Sequence, residues 1–152
     1  MADLKDTLRS DLTTAMKAKR AFDTQVLRLA LAAIANQEVS GRSARQLSRS
    51  EEEAVLRREA RQRRESAQIY AEAGRPELAD KELAEAELLE GYLPAPLDEA
   101  ELDALVAAQL AAWPEATLKQ MGQIVKAVNA EVQGRAPGAL VAQKVKAALS
   151  GA

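Results

Sequence analysis

Eight arginines lie between residues 42 and 64, and three of them are spaced like residues on one helical face. On a helix that turns 100° per residue, Arg57, Arg61 and Arg64 fall within an arc of about 60°. A guanidinium group is always charged and donates two parallel hydrogen bonds to a phosphate, so such a ridge suits a nucleic-acid backbone. We therefore predict a nucleic-acid-binding surface formed by Arg57, Arg58, Arg61 and Arg64.

The same charges also fit an ordinary solvent-exposed helix. Three acids lie four residues from an arginine, a spacing that forms ion pairs on helix surfaces. These pairs are Glu53 with Arg57, Glu59 with Arg63, and Arg61 with Glu65. The whole chain carries 21 basic and 23 acidic residues, whereas strong nucleic-acid binders usually carry net positive charge. Arg63 falls within the apolar stripe, so its stem covers the core or its charge meets an acid on the next helix.

The amino acids that are absent exclude much chemistry. The sequence holds no Cys and no His, which excludes disulfides, thiol nucleophiles and the commonest zinc sites. We predict no catalytic residue, no metal site and no cofactor. The charged first residues, and the lack of an uncharged apolar run of roughly 20 residues, predict a cytoplasmic protein with no membrane contact.

The composition favours helices. Hydrophobic residues make up 47% of the chain but aromatic residues only 3%, and sheets prefer aromatic and β-branched residues. We predict an all-α protein. Pro94 and Pro96 cannot both lie inside a helix, so residues 94–96 are predicted to form a linker between two domains.

The N-terminal domain, residues 1–93, is predicted to hold about four helices. The third is long and arginine-rich, and it begins at one of two overlapping capping boxes, at Ser48 or at Ser50. Gly74 ends it, and Pro76 begins an acidic fourth helix.

The C-terminal domain, residues 97–152, is predicted to hold three helices. Asp98 and Thr117 are each followed three residues later by Glu or Gln, a pattern that opens a helix. Pro137 is predicted to be the first residue of the last helix.

Five sequence runs occur in order, with consistent spacing, along nearly the whole chain. They are LRLALAAI at 27–34, RQRRES at 61–66, AExELLExYLP at 84–94, MGxIVK at 121–126 and GRAxGxLV at 134–141. Together these runs resemble the GatB/YqeY family in its free-standing, YqeY-like form. The resemblance implies an all-helical protein whose C-terminal domain is similar to the tail of the B subunit of the tRNA-dependent amidotransferases.

In those enzymes the tail helps to hold the tRNA while other domains transfer an amido group from glutamine. The resemblance thus implies tRNA as a partner, a role in translation, and the label carbon–nitrogen ligase with glutamine as amido-N-donor. Releasing ammonia from glutamine needs an activated nucleophile, and activating a carboxylate with ATP needs a phosphate-binding loop. The sequence shows neither, so we expect no catalysis by this chain alone.

The turn at Arg135 resembles the signature turn of that tail. The family typically has an acidic residue at the position of Pro137 and Lys at that of Ala139, so this chain lacks a basic group there. Lys126, Arg135 and Lys144 remain as cations near the start of the last helix, an end that favours anions. We predict that they add to the nucleic-acid-binding surface.

Three functions follow from these patterns. The first is an RNA-binding accessory module for tRNA or another structured RNA. The second is a protein-interaction module that docks on amidotransferase subunits or another partner through the acidic fourth helix, at Glu82, Glu85 and Glu90. The third is a stand-alone amidotransferase, against which the missing nucleophile and ATP site argue. We favour the first.

Overall fold

The structure, a computed structural model, describes residues 3–151. Those residues form seven α-helices and one short 3₁₀ turn and contain no β-strand, which confirms the all-α prediction. The helices are α1 (Leu4–Lys17), α2 (Ala21–Glu38), α3 (Arg49–Glu72), α4 (Pro76–Glu90), α5 (Glu99–Ala111), α6 (Met121–Val132) and α7 (Gly138–Leu149). The 3₁₀ turn, Leu118–Gln120, leads directly into α6.

The chain divides into two compact units, each built around its own apolar core. The first unit extends to Leu93, and in it α3 packs along α4 and α1 packs along α2. Its largest fully buried side chains are Leu4, Leu8, Val26, Ile34, Leu56 and Leu89. The second unit begins at Pro94 and is formed by α5, α6 and α7. Its largest fully buried side chains are Leu102, Ile124, Val128, Val132, Val141 and Val145.

Local signals set both ends of α3. Ser48 Oγ accepts a hydrogen bond from the Glu51 backbone N–H at 3.2 Å, and the Glu51 carboxylate accepts one from the Ser48 N–H at 2.8 Å. This capping box settles which of the two predicted boxes forms, and the helix begins at Arg49. Gly74, with φ of +74°, makes the turn after α3, and Pro76 begins α4 as predicted.

In the second unit, the helices begin close to the predicted residues, with two small differences. Asp98 and Glu101 form the expected capping box of α5, with hydrogen bonds of 2.7 and 3.0 Å. Thr117 caps the tighter 3₁₀ turn instead of α6 itself. Pro137 lies outside α7, because its ψ of 136° is extended, and the helix begins at Gly138. The predicted start of the last helix was therefore wrong by one residue.

Arg63 fixes how α3 faces α4. Its Nη1 donates to Glu59 at 3.0 Å and its Nε donates to Glu85 on α4 at 3.2 Å. The side chains of Arg63 and Glu85 are only 11% and 10% exposed. Of the two roles that the sequence left open for Arg63, the structure shows the ion pair with the fourth helix. This bridge places the Arg63 side of α3 against α4.

Candidate nucleic-acid interface

A cleft of about 380 Å³ opens between the end of α2, the connection at 39–48 and the first half of α3. The buried side chains of Leu47 and Val55 contribute apolar lining. Its polar lining consists of Gln37, Arg45, Glu51, Arg57, Arg58 and Arg61. Three of the four arginines predicted on α3 therefore meet at one cleft, and Arg45 joins them from the connection.

Among residues 3–151, Glu51 is the one acid that lines this cleft, and Arg45 neutralises it. The two terminal nitrogens of Arg45 donate to the Glu51 carboxylate at 2.9 and 2.6 Å. The hydrogen bond from Arg45, followed by that from the Ser48 backbone N–H, lowers the pKa of Glu51 to about 2. Glu51 is thus an ionised carboxylate already occupied by Arg45 and the helix cap, and it does not offset the other arginines.

Arg57 is partly buried, whereas the other three arginines of the cleft are exposed. Its Nη2 atom is buried without a hydrogen-bond partner, and no ion pair of Arg57 occurs in the described part of the chain. The solvent-face interpretation expected a pair with Glu53. Glu53 instead binds Arg49 at 3.1 Å, and Arg57 keeps an uncompensated charge.

Arg58 and Arg61 lie at the exposed rim of the cleft. The Nη2 of Arg58 is 3.5 Å from Gln37 Oε1, beyond the usual length of a good hydrogen bond. The side chain of Arg61 is 69% exposed and lies 3.9 Å from Glu65, a separation typical of a weak surface pair. Both guanidinium groups are accessible to an anion from outside.

Arg64, the fourth arginine of the predicted ridge, is engaged on the α4 side. Its Nε and Nη2 donate to the two carboxylate oxygens of Glu90 at 2.5 and 2.9 Å. This bidentate pair helps to hold α3 against α4. A contribution of Arg64 to nucleic-acid binding stays a prediction, and the structure does not place Arg64 among the residues that line the cleft.

The three predicted cations of the second unit have different surroundings. Lys144 on α7 is only 16% exposed and binds two acids of α5, Glu99 at 3.1 Å and Asp103 at 2.6 Å. Arg135 Nε donates to the backbone carbonyl of Ala95 at 2.7 Å, so it fastens the turn after α6 to the predicted linker. Lys126 is exposed and has no ion pair within residues 3–151. Their role in nucleic-acid binding stays a prediction.

Sequence reasoning missed Arg45 and Gln37 as members of the cleft. Arg45 belongs to the clustered arginines, but it lies in an irregular connection where no periodicity predicts its direction. Gln37 lies near the end of α2, and no local signal indicates that this end faces α3. Both residues enter the site through tertiary packing.

The chemistry available to this cleft is anion binding. Guanidinium groups donate charge-assisted hydrogen bonds to phosphate and carboxylate oxygens, and the lining holds no hydroxyl or amine nucleophile among the described residues. No group of three or more Asp and Glu side chains within residues 3–151 is arranged to hold a metal ion.

Replacing Arg45 with Gln is expected to raise the pKa of Glu51 from about 2 toward its ordinary 4.5, because the Arg45 hydrogen bond is the largest cause of the lowering. A carboxylate whose pKa is lowered by folding adds stability above pH 4.5 and loses it as the pH falls toward 2. The free energy of unfolding of the Arg45→Gln variant should therefore fall less between pH 4.5 and pH 2 than that of the wild-type chain. An NMR titration of the Glu51 carboxyl measures the shift, with Arg75→Gln as a control that leaves it unchanged. A Glu51 pKa that stays near 2 without Arg45 would contradict the pair.

A family model for YqeY-like proteins matches residues 5–149, which covers most of both units. The chain belongs to the YqeY-like family. The match confirms the resemblance seen in the five sequence runs.

A curated relative of this YqeY-like chain is altered inheritance of mitochondria protein 41, mitochondrial, from Meyerozyma guilliermondii. The two are 37% identical over 91 residues, which is 58% of this chain. The YqeY-like chain spans 45% of that relative's length. Within the described residues of the YqeY-like chain, no helix combines the length and the apolar character needed to cross a bilayer.

Proposed function

We propose that this protein is an RNA-binding accessory module, which holds tRNA or another structured RNA while other proteins carry out catalysis. The observation that carries the proposal is the cleft at which Arg57, Arg58 and Arg61 meet. Within residues 3–151, Arg57 and Arg58 have no ion pair, and Arg61 has only the weak surface pair with Glu65 at 3.9 Å. Guanidinium groups on adjacent helical turns match the repeating phosphates of a nucleic-acid backbone.

The protein recognises the shape of a folded RNA and not its base sequence. Aromatic residues make up 3% of the sequence, and none lines the cleft among the described residues. Base stacking on aromatic side chains is the main means of reading single-stranded RNA, so this surface favours phosphates of a folded RNA.

Membership of the YqeY-like family supports the same proposal. The resemblance to the tail of the tRNA-dependent amidotransferases implies a holding role on tRNA, in translation and without catalysis by the chain itself. The label carbon–nitrogen ligase with glutamine as amido-N-donor then describes the enzyme that such a module would serve.

The alternative of a protein-docking surface on α4 has less support. Of its three acids, Glu85 is buried against Arg63 and Glu90 is paired with Arg64. Of these three acids, Glu82 is the one without an ion pair among the described residues. Two of the three acids considered for docking are thus already paired within the first unit, which weakens them as contacts for a basic partner, and we therefore propose RNA as the ligand.

The proposal is tested by fluorescence anisotropy with labelled tRNA and the full chain at several salt concentrations. If about three phosphates are neutralised, the logarithm of the association constant should fall with the logarithm of salt concentration with a slope of roughly −2 to −3. A single-stranded oligonucleotide of equal length serves as control and should bind more weakly. No binding at low salt, or an affinity that does not change with salt, would contradict the proposal.

A further inference from the structure

The charge on Arg57 is the least compensated feature of the cleft. Its side chain is partly buried, its Nη2 has no hydrogen-bond partner among residues 3–151, and Arg58 and Arg61 line the same cleft. A partly buried cation surrounded by like charges lowers the stability of the folded protein. An anion that enters the cleft would accept hydrogen bonds from the Arg57 guanidinium and compensate its charge. Binding of such an anion explains why the folded protein contains this arrangement.

The charges of the residues that line the cleft indicate the charge of the anion that it binds. Glu51 is taken by Arg45, and Glu65, the weak partner of Arg61, does not line the cleft. Among the described lining residues, Arg57, Arg58 and Arg61 therefore provide about three positive charges that no further carboxylate offsets. A phosphodiester within an RNA chain carries a single negative charge. A terminal phosphate, a monoester, carries about −1.5 to −2 near pH 7 and offers three acceptor oxygens. The monoester is the better electrostatic match.

The cleft also has room for what a terminal phosphate is attached to. A second groove of about 420 Å³ adjoins it, and Gln37 and Arg58 line both. Leu29 and Ala33 give this groove an apolar lining, and Asn36 adds a polar amide. Glu59 also lines the groove, but its carboxylate is paired with Arg63 at 3.0 Å. A nucleoside held there would leave its phosphate among the arginines.

We infer that this cleft is a site for a terminal phosphate monoester, the 5′-phosphate of an RNA or of a free nucleotide. The inference deepens the proposed function and rests on it for the RNA source. Arg57 binds the phosphate from inside the cleft, while Arg58 and Arg61 close on it from the rim.

The first test uses Arg57→Met, which removes the charge and retains an unbranched apolar side chain in place of the arginine stem. In phosphate-free buffer this variant should have a higher Tm than the wild-type chain, because the uncompensated charge is gone. Adenosine 5′-monophosphate should raise the Tm of the wild type and leave the Tm of the Arg57→Met variant unchanged. The Tm of the Arg57→Lys variant should rise only slightly. Adenosine, which lacks the phosphate, is the matched control. A Tm of Arg57→Met below that of the wild type, or an equal response of both to the nucleotide, would overturn the inference.

The second test separates this inference from the proposed function. One structured RNA is prepared with a 5′-phosphate, a 5′-hydroxyl or a 5′-methylphosphate, and binding to the full chain is measured by anisotropy. The 5′-phosphate form should bind about tenfold more tightly than the other two, a difference of about 1.4 kcal/mol that Arg57→Met removes. Equal affinity for all three RNAs overturns the terminal-phosphate site and leaves RNA binding intact. A nucleotide response without any RNA binding supports the site and refutes the proposed function.

Discussion

Replacing Arg63 with Met is expected to lower the free energy of unfolding of the first unit by about 3–5 kcal/mol, the usual cost of removing one partner from a buried ion pair. The substitution leaves Glu85, whose side chain is 10% exposed, without its cation, and it also releases Glu59. Urea unfolding followed by circular dichroism at 222 nm measures the loss.

Two further variants show whether the buried charge is the cause. Glu85→Leu should cost less than Arg63→Met, because Arg63 keeps Glu59 as a partner. The double variant Arg63→Met with Glu85→Leu should be more stable than Arg63→Met alone, since the carboxylate that Arg63→Met leaves unpaired at this bridge is then removed as well. Arg9→Met, at a side chain that is largely exposed, is the surface control. An Arg63→Met variant within about 0.5 kcal/mol of the wild type would show that this bridge does not hold α3 to α4.

Replacing Ile124 with Ala is expected to unfold the second unit at room temperature. Ile124 is fully buried in the core of α5, α6 and α7, and an Ile to Ala change in a core costs about 2–5 kcal/mol. A domain of roughly 60 residues rarely has more than about 3–5 kcal/mol of stability to lose. The loss is therefore comparable with the whole stability of this unit.

Trp113 makes this prediction easy to follow. It is the single tryptophan of the sequence and packs against the core of the second unit, so its fluorescence reports on that unit. In the Ile124→Ala variant the emission should shift to the red without denaturant, while Gln123→Ala, at an exposed position of the same helix, should leave it unchanged. Emission like that of the wild type in Ile124→Ala would mean that the second unit gains its stability elsewhere.

The helices could be predicted from the sequence because their signals are local. The capping box at Ser48, the turn at Gly74 and the start of α4 at Pro76 depend on residues within one or two turns of each other. Local reasoning went wrong at Pro137, because a proline fits both the first helical position and the extended residue before it.

The candidate site was harder to predict, because charge partners come from distant parts of the chain. Helical spacing placed Arg57, Arg61 and Arg64 on one face, but it gave no sign that Glu90 would bind Arg64. In the same way, no local pattern pairs Lys144 with acids of α5. The fold decides which of the clustered cations are neutralised and which face solvent.

The measurement that tests the central claim most directly compares two double charge reversals in RNA binding at one ionic strength. Arg58→Glu with Arg61→Glu reverses the rim of the cleft, and Arg9→Glu with Lys81→Glu makes the same change in net charge on exposed helical surface away from the cleft lining. The cleft variant should bind structured RNA roughly 100-fold more weakly and lose about 2 from its salt slope, while the control variant changes little. Equal losses in both variants, or no loss in the cleft variant, would contradict the assignment of RNA binding to this cleft.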